Sequence, residues 1–482
     1  MTMFKFIWQK KQIESEQSKS AISAFVYMAF LTISFFTIFI CLIANTHESK
    51  KWLFVIPLGY FIISFIFNAN FKSLDLNVPK FILQALYFIR LALLPMVYAL
   101  SDLEFVFQGA ISVEPNFTKA CFLMVYEYLA VQLALWILPQ IKKKKASDKP
   151  EKRYSINFCG KIILVISLFV IIVAVFFPEL GTNFKTILQL GEEDFTIGET
   201  VDFELGTVGR IVHTLFNLSV QIIRILLPAF LMYLVYKKKP NESYVKILML
   251  SACVLQFFFL TSTFAEAIVS SIVLVLFYMN LYPKRVKKTL ILLMTGAVGI
   301  LCLFFVVRFL AKSENSMYLS DDLLVYIVRI INAYFSGVDN VSAALNVPEG
   351  LKWETLRAEL LGAIPFNSTL FGNVGNKFQH YFNSTNLSYG QIPPTIGIGY
   401  YYFGVVFAPA LSVLSVVASQ LFFNAAQRNK GTMNFVSMIF CSIVFALGTV
   451  MYSYAISLQW FLSWGLFLII ITKLTTNYKK EL

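Results

Sequence analysis

The chain has 482 residues, of which 58% are hydrophobic and only 14% are charged, and its mean hydropathy is +0.70. A soluble domain carries about 45–50% apolar residues and about a quarter charged ones, so this composition excludes an ordinary soluble globular protein. The net charge of +13 comes from basic clusters between hydrophobic runs. That distribution follows the positive-inside rule of membrane proteins and requires no nucleic-acid partner.

A transmembrane helix needs about 20 mostly apolar residues, and the sequence predicts about twelve such helices. The expected fold is therefore an all-α integral membrane protein with a single polytopic domain over residues 1–482. The polar stretch that ends at Ser20 precedes a full-length span without a small-residue cleavage pattern, so we expect no removable signal peptide. The predicted spans are Ala21–Ala44, Trp52–Phe67, Phe81–Leu100, Ala120–Leu138, Gly160–Phe177, Leu215–Tyr236, Val245–Leu260, Ala265–Leu281, Thr289–Leu310, Ile396–Phe422, Phe435–Met451 and Ser457–Thr472.

The charged loops predict the orientation of these spans. If the chain has twelve spans, its basic clusters all fall on one side of the membrane. These clusters occupy residues 142–153, 237–239, 284–288, 428–430 and 479–480. The acidic stretch 179–204 falls on the other side. Only Lys50 and Lys51, in a predicted external turn, break this pattern. Both termini are therefore expected in the cytoplasm.

Two predicted external loops are long, at residues 178–209 and 311–395, and the second far exceeds an ordinary connection. Within it, Ser320-Asp321-Asp322 is typical of a helix start, and apolar residues then recur at helical spacing as far as Tyr334. This pattern predicts an amphipathic helix at the outer interface, ending in the segment 336–340. A second short helix is predicted over Trp353–Leu361. The work of the protein is expected on this external side.

Ionisable residues inside a membrane span are costly, so each is a functional candidate. At 100° per residue, a polar stripe lies on one side of the sixth predicted span, opposite an apolar face. The stripe consists of Arg210, His213, Thr214, Asn217, Gln221 and Arg224. It predicts either the wall of a polar cavity or a helix whose polar groups bond to neighbouring helices. Arginine suits a phosphate ligand because its planar fork binds two oxygens and keeps its charge.

Other charged residues have plainer interpretations. Arg90 and Glu127 are expected to form a structural ion pair between adjacent helices, whereas Arg308 and Glu266 can reach the interface from the ends of their spans. In the large loop, Arg329 and Arg357 lie on the polar sides of the two predicted helices, and Asp339, His380 and Tyr389 follow. Aromatic rings among amides and hydroxyls suit sugar binding, and they equally suit an interfacial aromatic belt. His380 suits proton transfer near neutral pH.

The sequence contains no nucleotide-binding motif and no metal-ligand spacing. All six cysteines lie in or beside hydrophobic runs, so no disulfide framework or metal cluster is expected. An enzyme with this sequence would need a substrate that is already activated outside the cytoplasm, and no cofactor is expected.

Two segments resemble a known family. The run Gln391–Gly404 (QIPPTIGIGYYYFG) and the segment Tyr334–Asn340 (YFSGVDN) are similar to segments of bacterial oligosaccharide repeat-unit polymerases of the Wzy type. The length, the span number and the position of the large loop are also similar. The resemblance implies a metal-independent glycosyltransferase, similar to the C-type enzymes and related to O-antigen ligases. It also implies a location in the bacterial cytoplasmic membrane.

The family transfers a growing chain from undecaprenyl pyrophosphate onto a newly flipped lipid-linked unit, making capsule, exopolysaccharide or O-antigen. A flippase and a chain-length regulator of the same pathway are possible partners. Arginines would stabilise the pyrophosphate leaving group, and the candidates are Arg210 and Arg224 with Arg308 or Arg329. The general base could be Asp339, His213 or His380. Asn217, Gln221, Arg357 and Tyr389 are the further substrate-binding candidates.

Three other functions remain open on the sequence. A lipid-linked oligosaccharide flippase or another polytopic transporter would share the span number and the intramembrane arginines, but would be expected to show two similar halves and short loops. A membrane O-acyltransferase would be expected to carry a stronger histidine constellation. A structural protein without chemistry would not explain the stripe at Arg210.

Overall fold

The protein folds into a helical bundle with a layer of short helices at one end. The structure is a computed structural model that describes residues 2–44, 47–72, 74, 77–101, 103, 105–107, 109–138, 156–176, 207–238, 241–258, 264–283, 323–348, 350, 352–371, 375, 377–388, 391–451 and 453–477. Within these residues every regular element is helical. The chain is thus all-α, as predicted.

The described residues up to Leu281 form apolar helices, most of them long. They are α1 Thr2–Ile43, α2 Val55–Ile66, α3 Val78–Phe88, α4 Leu94–Leu100, α5 Glu114–Ile137, α6 Ile156–Phe176, α7 Thr207–Lys238, α8 Glu242–Phe258 and α9 Phe264–Leu281. A π-helical turn, Ile89–Leu93, joins α3 to α4 just before Pro95. The first eight predicted spans all fall on these helices, although α1 begins well before the predicted Ala21.

The second half of the described chain begins with five short helices, here called the cap. They are α10 Leu323–Tyr334, α11 Val338–Ala344, α12 Lys352–Gly362, α13 Asn367–Phe371 and α14 Lys377–Asn386. The two predicted loop helices correspond to α10 and α12. The segment 336–340, expected to end the first helix, instead turns directly into α11, and α13 and α14 were not predicted.

The last helices return to the bundle, and they include one correction. They are α15 Thr395–Phe407, α16 Ala410–Arg428, α17 Met433–Leu447, α18 Tyr454–Trp460 and α19 Leu466–Asn477, with a π-helical turn Phe461–Gly465 between the last two. The predicted continuous span Ile396–Phe422 is two helices, α15 and α16. The backbone leaves helical geometry at Gly404 (φ 73°), and a Cβ on Gly399 would lie 2.0 Å from the carbonyl oxygen of Ala408.

By length and composition, eight helices among the described residues can cross a membrane, and three shorter apolar ones accompany them. Large apolar side chains cover their outer surfaces, for example Phe25, Phe36 and Ile43 on α1. This surface indicates a multi-pass membrane protein. The twelve-span count stays a prediction, because the expected span Thr289–Leu310 lies outside the described residues.

Three contacts hold the cap at the end of the bundle where α4 ends and α5 begins. Asn116 at the start of α5 donates to Asn346 (2.9 Å). Ser342 on α11 donates to the carbonyl of Val113, and a hydrophobic cluster around Phe378 and Phe382 joins the cap to α15. The positive-inside rule predicts this end to be external.

Candidate functional site

The polar stripe on α7 is partly visible in the structure. His213 and Asn217 lie one helical turn apart, and the Asn217 Nδ2 is 2.9 Å from the His213 Nε2. The amide nitrogen can only donate, so the His213 Nε2 accepts and the neutral imidazole carries its proton on Nδ1. Arg210 belongs to the same helix one turn earlier, but its side chain lies outside the described residues.

The deeper part of the stripe is bonded to neighbouring helices. The Arg224 Nη1 lies 3.0 Å from the Glu266 Oε2, and both side chains are buried. Gln221 donates to the same carboxylate oxygen. Gln256 accepts from the Arg224 Nε and donates to its backbone carbonyl. Buried charges require such paired and hydrogen-bonded surroundings, so Arg224 forms part of the packing between α7, α8 and α9.

Helix lengths place this cluster at the tip of a short hairpin. α8 and α9 have 17 and 18 residues and so rise only about 25–27 Å, less than the roughly 30 Å of a hydrocarbon core. Gln256 and Glu266 lie next to the connection between them. α7 has 32 residues and rises about 48 Å, so its first turns, with Arg210, His213 and Asn217, extend beyond the hairpin tip. The cap helix α13 packs against α7.

A narrow crevice lies beside the Arg224–Glu266 pair. It is too tight to admit a water molecule. Its walls come from α7, α9, α17, α18 and the second π turn. The lining residues are Gln221, Ile225, Glu266, Val269, Ser270, Phe440, Trp460 and Trp464.

Arg90 and Glu127 form the predicted ion pair. The Arg90 Nη1 lies 2.7 Å from the Glu127 Oε2, and the two side chains are 1% and 0% exposed, which confirms the expected pairing of adjacent helices. The Arg90 Nε donates to the carbonyl of Ser336 (2.9 Å), and Ser412 on α16 donates to Glu127. Within the described part of the chain, the buried Arg90 Nη2 has no hydrogen-bond partner.

The break between α10 and α11 therefore reaches deep into the bundle. Arg90 lies ten residues before the end of α4 at Leu100, which is about 15 Å of helix. Ser336 has a left-handed backbone (φ 48°), and the N–H of Gly337 closes the end of α10 by donating to the carbonyl of Asn332 (3.1 Å). Irregular backbone buried in a helix bundle needs hydrogen-bond partners, and the Arg90 guanidinium is one of them.

Asp339, a candidate base, is wholly enclosed. The Tyr98 hydroxyl donates to its carboxylate at 2.9 and 3.1 Å, and the N–H groups of Val106 and Phe107 donate to Oδ2. Burial raises the pKa of Asp339 to about 6, and these hydrogen bonds oppose the rise. The carboxylate thus connects the cap to the end of α4 and to the connection before α5.

The remaining predicted site residues are spread over the cap. Arg329 lies half-buried on α10, while Arg357 and His380 lie exposed on α12 and α14. Arg308 and Tyr389 lie outside the described residues. The structure thus brings His213, Asn217, Gln221 and Arg224 together on α7 and places Asp339, Arg357 and His380 on separate cap helices.

The sequence prediction missed a buried carboxyl in the cap. Glu359 on α12 is 3% exposed, accepts from the Tyr402 hydroxyl (2.8 Å), and accepts from the N–H of Phe378 (3.2 Å). Burial raises its pKa to about 7. The sequence offered one indication that Glu359 is buried. Thr355 lies one helical turn earlier and is also buried, and both residues fall on the same side of α12.

Buried amides join the two segments that resemble the polymerase family. The Asn332 Nδ2 donates to the Asn340 Oδ1 (2.9 Å), and the Asn340 Nδ2 donates to the Gln391 Oε1 (3.1 Å). Gln379 on α14 donates to the Gln391 carbonyl (2.9 Å). Segments about 50 residues apart in the chain are therefore joined by buried amides within the cap.

No group of three or more histidine, cysteine, aspartate or glutamate residues within the described ranges could hold a metal ion. Comparison with protein-family models, with curated proteins and with solved structures finds no match to this chain.

Proposed function

We propose that this chain is a membrane glycosyltransferase that polymerises oligosaccharide repeat units carried on undecaprenyl pyrophosphate. The product would be a surface polysaccharide of the capsule, exopolysaccharide or O-antigen class. The reaction would take place at the outer face of a bacterial cytoplasmic membrane. Both chain termini would lie in the cytoplasm, and a flippase and a chain-length regulator of the same pathway would be partners.

The observation that carries this proposal is the contact between Asn340 and Gln391. The two stretches with family resemblance, Tyr334–Asn340 and Gln391–Gly404, lie about 50 residues apart in the chain. A hydrogen bond between buried amides joins them, at the end of the bundle that the charge pattern predicts to be external. Resemblance in two segments that contact each other supports a functional origin better than either segment alone.

The α7 stripe supplies the chemistry that such a reaction needs. In the transfer, an acceptor hydroxyl attacks the anomeric carbon of the growing chain, and the bond to the pyrophosphate oxygen breaks. The leaving group gains negative charge, which arginines stabilise. Arg210 is the first candidate because it lies beyond the hairpin tip, whereas Arg224 already binds Glu266 and would act through that pair. Arg308 or Arg329 would assist.

A general base must take the proton of the acceptor hydroxyl. Of the three candidates, His213 is the best placed, because it lies one turn from Arg210. Its Nε2 accepts from the Asn217 amide, so this hydrogen bond must be released before the nitrogen can take the proton. Asp339 is enclosed on all sides, and His380 is exposed on α14.

One feature favours the transporter alternative. Buried polar side chains recur along α3 and its π turn at helical spacing, at Lys80, Gln84, Tyr87 and Arg90. Gln84 exchanges hydrogen bonds with Gln132 on α5 (2.8 and 3.1 Å). Intramembrane polar chains are typical of ion and substrate pathways, and they equally stabilise helix packing in lipid.

A complementation experiment separates the two functions. A deletion strain would be supplied with wild type, Arg210→Lys or Arg210→Ala, and the length of its surface polysaccharide measured. We expect single lipid-linked units on the outer face of the deletion strain, full chains with wild type, and single units with Arg210→Ala. Arg210→Lys keeps the charge without the bidentate fork and should restore short chains at most. Units trapped on the cytoplasmic face would instead identify a flippase.

A further inference from the structure

The exposed side of the cap helix α12 carries large apolar side chains around one arginine. At 100° per residue, Trp353, Arg357 and Leu360 fall within a sector of about 60°. Trp353 and Leu360 are 76% and 41% exposed, and Arg357 is exposed between them. On the next helix, α13, Leu370 and Phe371 are exposed as well. These five side chains are here called the α12–α13 surface.

One side of α5 indicates where the lipid begins. Large apolar or aromatic side chains are exposed there at intervals of three or four residues, namely Phe122, Tyr126, Leu129, Leu133 and Trp136. This spacing gives one continuous face of a helix, which is the lipid-facing side of α5. Lys119 is exposed one turn before Phe122, and a lysine at the end of a span reaches the headgroups. Its ammonium lies over the ring of Tyr400 on α15 (4.2 Å to the centroid).

α15 connects this boundary to α12. Beyond Tyr400, α15 follows α5 into the bundle, because the Tyr126 hydroxyl donates to the carbonyl of Val406 (2.7 Å). Tyr402 lies between these two contacts with α5, and its hydroxyl binds Glu359 on the buried side of α12. α12 therefore lies within side-chain reach of the level at which the lipid-facing side of α5 begins.

We propose that the α12–α13 surface rests in the headgroup region of the leaflet at the cap end of the bundle. Its apolar side chains contact the upper acyl chains, its indole lies where tryptophan is enriched in membrane proteins, and Arg357 binds lipid phosphate. Because α13 packs against α7, the surface adjoins a membrane helix. Glu354, which is exposed on α12, lies about 100° around the helix from Trp353 and can face water. This contact goes beyond the proposed function, since it requires no catalysis.

Quenching of Trp353 by brominated lipids tests this contact. The full-length protein is placed in nanodiscs, and the emission of Trp353 is obtained as the difference between wild type and Trp353→Phe. Bromine near the headgroups should quench this emission more strongly than bromine near the chain ends, and more strongly than iodide in the buffer. The matched control is Trp136→Phe, because Trp136 is 63% exposed on the lipid-facing side of α5 and its emission should also respond to bromine.

Two results would overturn the inference. Quenching by iodide alone would show that the α12–α13 surface faces water. Absence of quenching by either agent would show that another protein surface covers Trp353. Neither result concerns polymerisation, which complementation with the Arg210 variants measures separately.

Charge reversal tests the phosphate contact of Arg357. In nanodiscs that contain phosphatidylglycerol, Arg357→Glu should weaken the contact with the anionic leaflet and reduce the quenching of Trp353 by bromine near the headgroups. Lys377→Glu makes the same charge change on another cap helix, α14, and should leave the quenching as in wild type. Equal quenching in the two variants would show that Arg357 does not bind lipid phosphate.

Discussion

Glu359 illustrates how one residue links cap packing to protonation. Its neutral form can accept from the N–H of Phe378 with one oxygen and donate to the Tyr402 hydroxyl with the other, whereas its ionised form must accept from both. Because burial raises its pKa to about 7, the folded protein holds this proton more tightly than the unfolded chain does. The stability from this group is then fully present below about pH 4.5 and is lost as the pH rises toward 7.

We predict that Glu359→Gln removes this pH dependence. A glutamine has the same hydrogen-bonding pattern as the neutral carboxyl, so the variant should match wild type near pH 4.5. Above pH 7 it should be more stable by on the order of 3 kcal/mol. Thermal unfolding in detergent at pH 5 and pH 8 measures the difference.

The control for this prediction is Glu354→Gln, an exposed position on the same helix. Its unfolding temperature should follow wild type at both pH values. Equal pH slopes for wild type and Glu359→Gln would show that the carboxyl is already ionised in the folded protein.

Sequence alone predicted some residue contacts and not others, for a physical reason. Arg90 and Glu127 were paired correctly because each is costly in lipid and they lie on adjacent spans. Glu266 was predicted to reach the membrane interface because it lies near the end of a span. The structure instead places it in an ion pair with Arg224, because the α8–α9 hairpin is short. Glu359 lies in a polar stretch of ordinary appearance, so its burial depends on how α12, α14 and α15 pack, which no local pattern encodes.

At the scale of elements, hydrophobic runs located the helices well, because lipid imposes length and polarity together. The same criterion failed at α15 and α16, where a continuous apolar run folds as two helices. Gly404 adopts φ 73° and ψ −173°, a region open essentially to glycine alone, and Gly399 packs directly against the Ala408 backbone. A hydropathy profile cannot detect where the backbone turns inside a continuous apolar segment.

We predict that Gly404→Ala destabilises the protein by about 1–3 kcal/mol, because alanine must be strained at this φ. A Cβ there enters open space, so any loss arises from the backbone rather than from a clash. Gly375→Ala is the matched control: its Cβ also meets nothing within 4 Å, and its φ is outside the left-handed range. A denaturant titration that gives equal midpoints for the two variants would contradict a strained turn at Gly404.

At the scale of the molecule, the cap and the connection between α4 and α5 lie on one side. Asn346 in the cap donates to the backbone carbonyl of Ser112 (3.2 Å). The cap and the α4–α5 connection therefore lie at the same face of the membrane. The charge pattern predicts the external face, with residues 142–153 on the opposite side.

We predict that cysteines placed at Ser112 and Ser384, both exposed, react with a membrane-impermeant maleimide in intact spheroplasts. A cysteine at Lys144 should react only after lysis. Wild type provides the background from the native thiols, because Cys253 is only half-buried and Cys302 lies outside the described residues. Labelling of Lys144→Cys before lysis, with Ser112→Cys protected, would invert the topology and move the proposed reaction to the cytoplasmic side.

The Arg90–Glu127 pair also has a consequence for how the protein is made. Its two charges lie only 37 residues apart, whereas Ser336 and Ser412, which complete its hydrogen bonds, follow 246 and 285 residues later than Arg90 and Glu127 respectively. We therefore expect the two helices to enter the bilayer as a neutral ion pair before the segments that carry Ser336 and Ser412 are synthesised. The cap and α16, which are synthesised later, are then expected to pack against N-terminal helices that are already inserted.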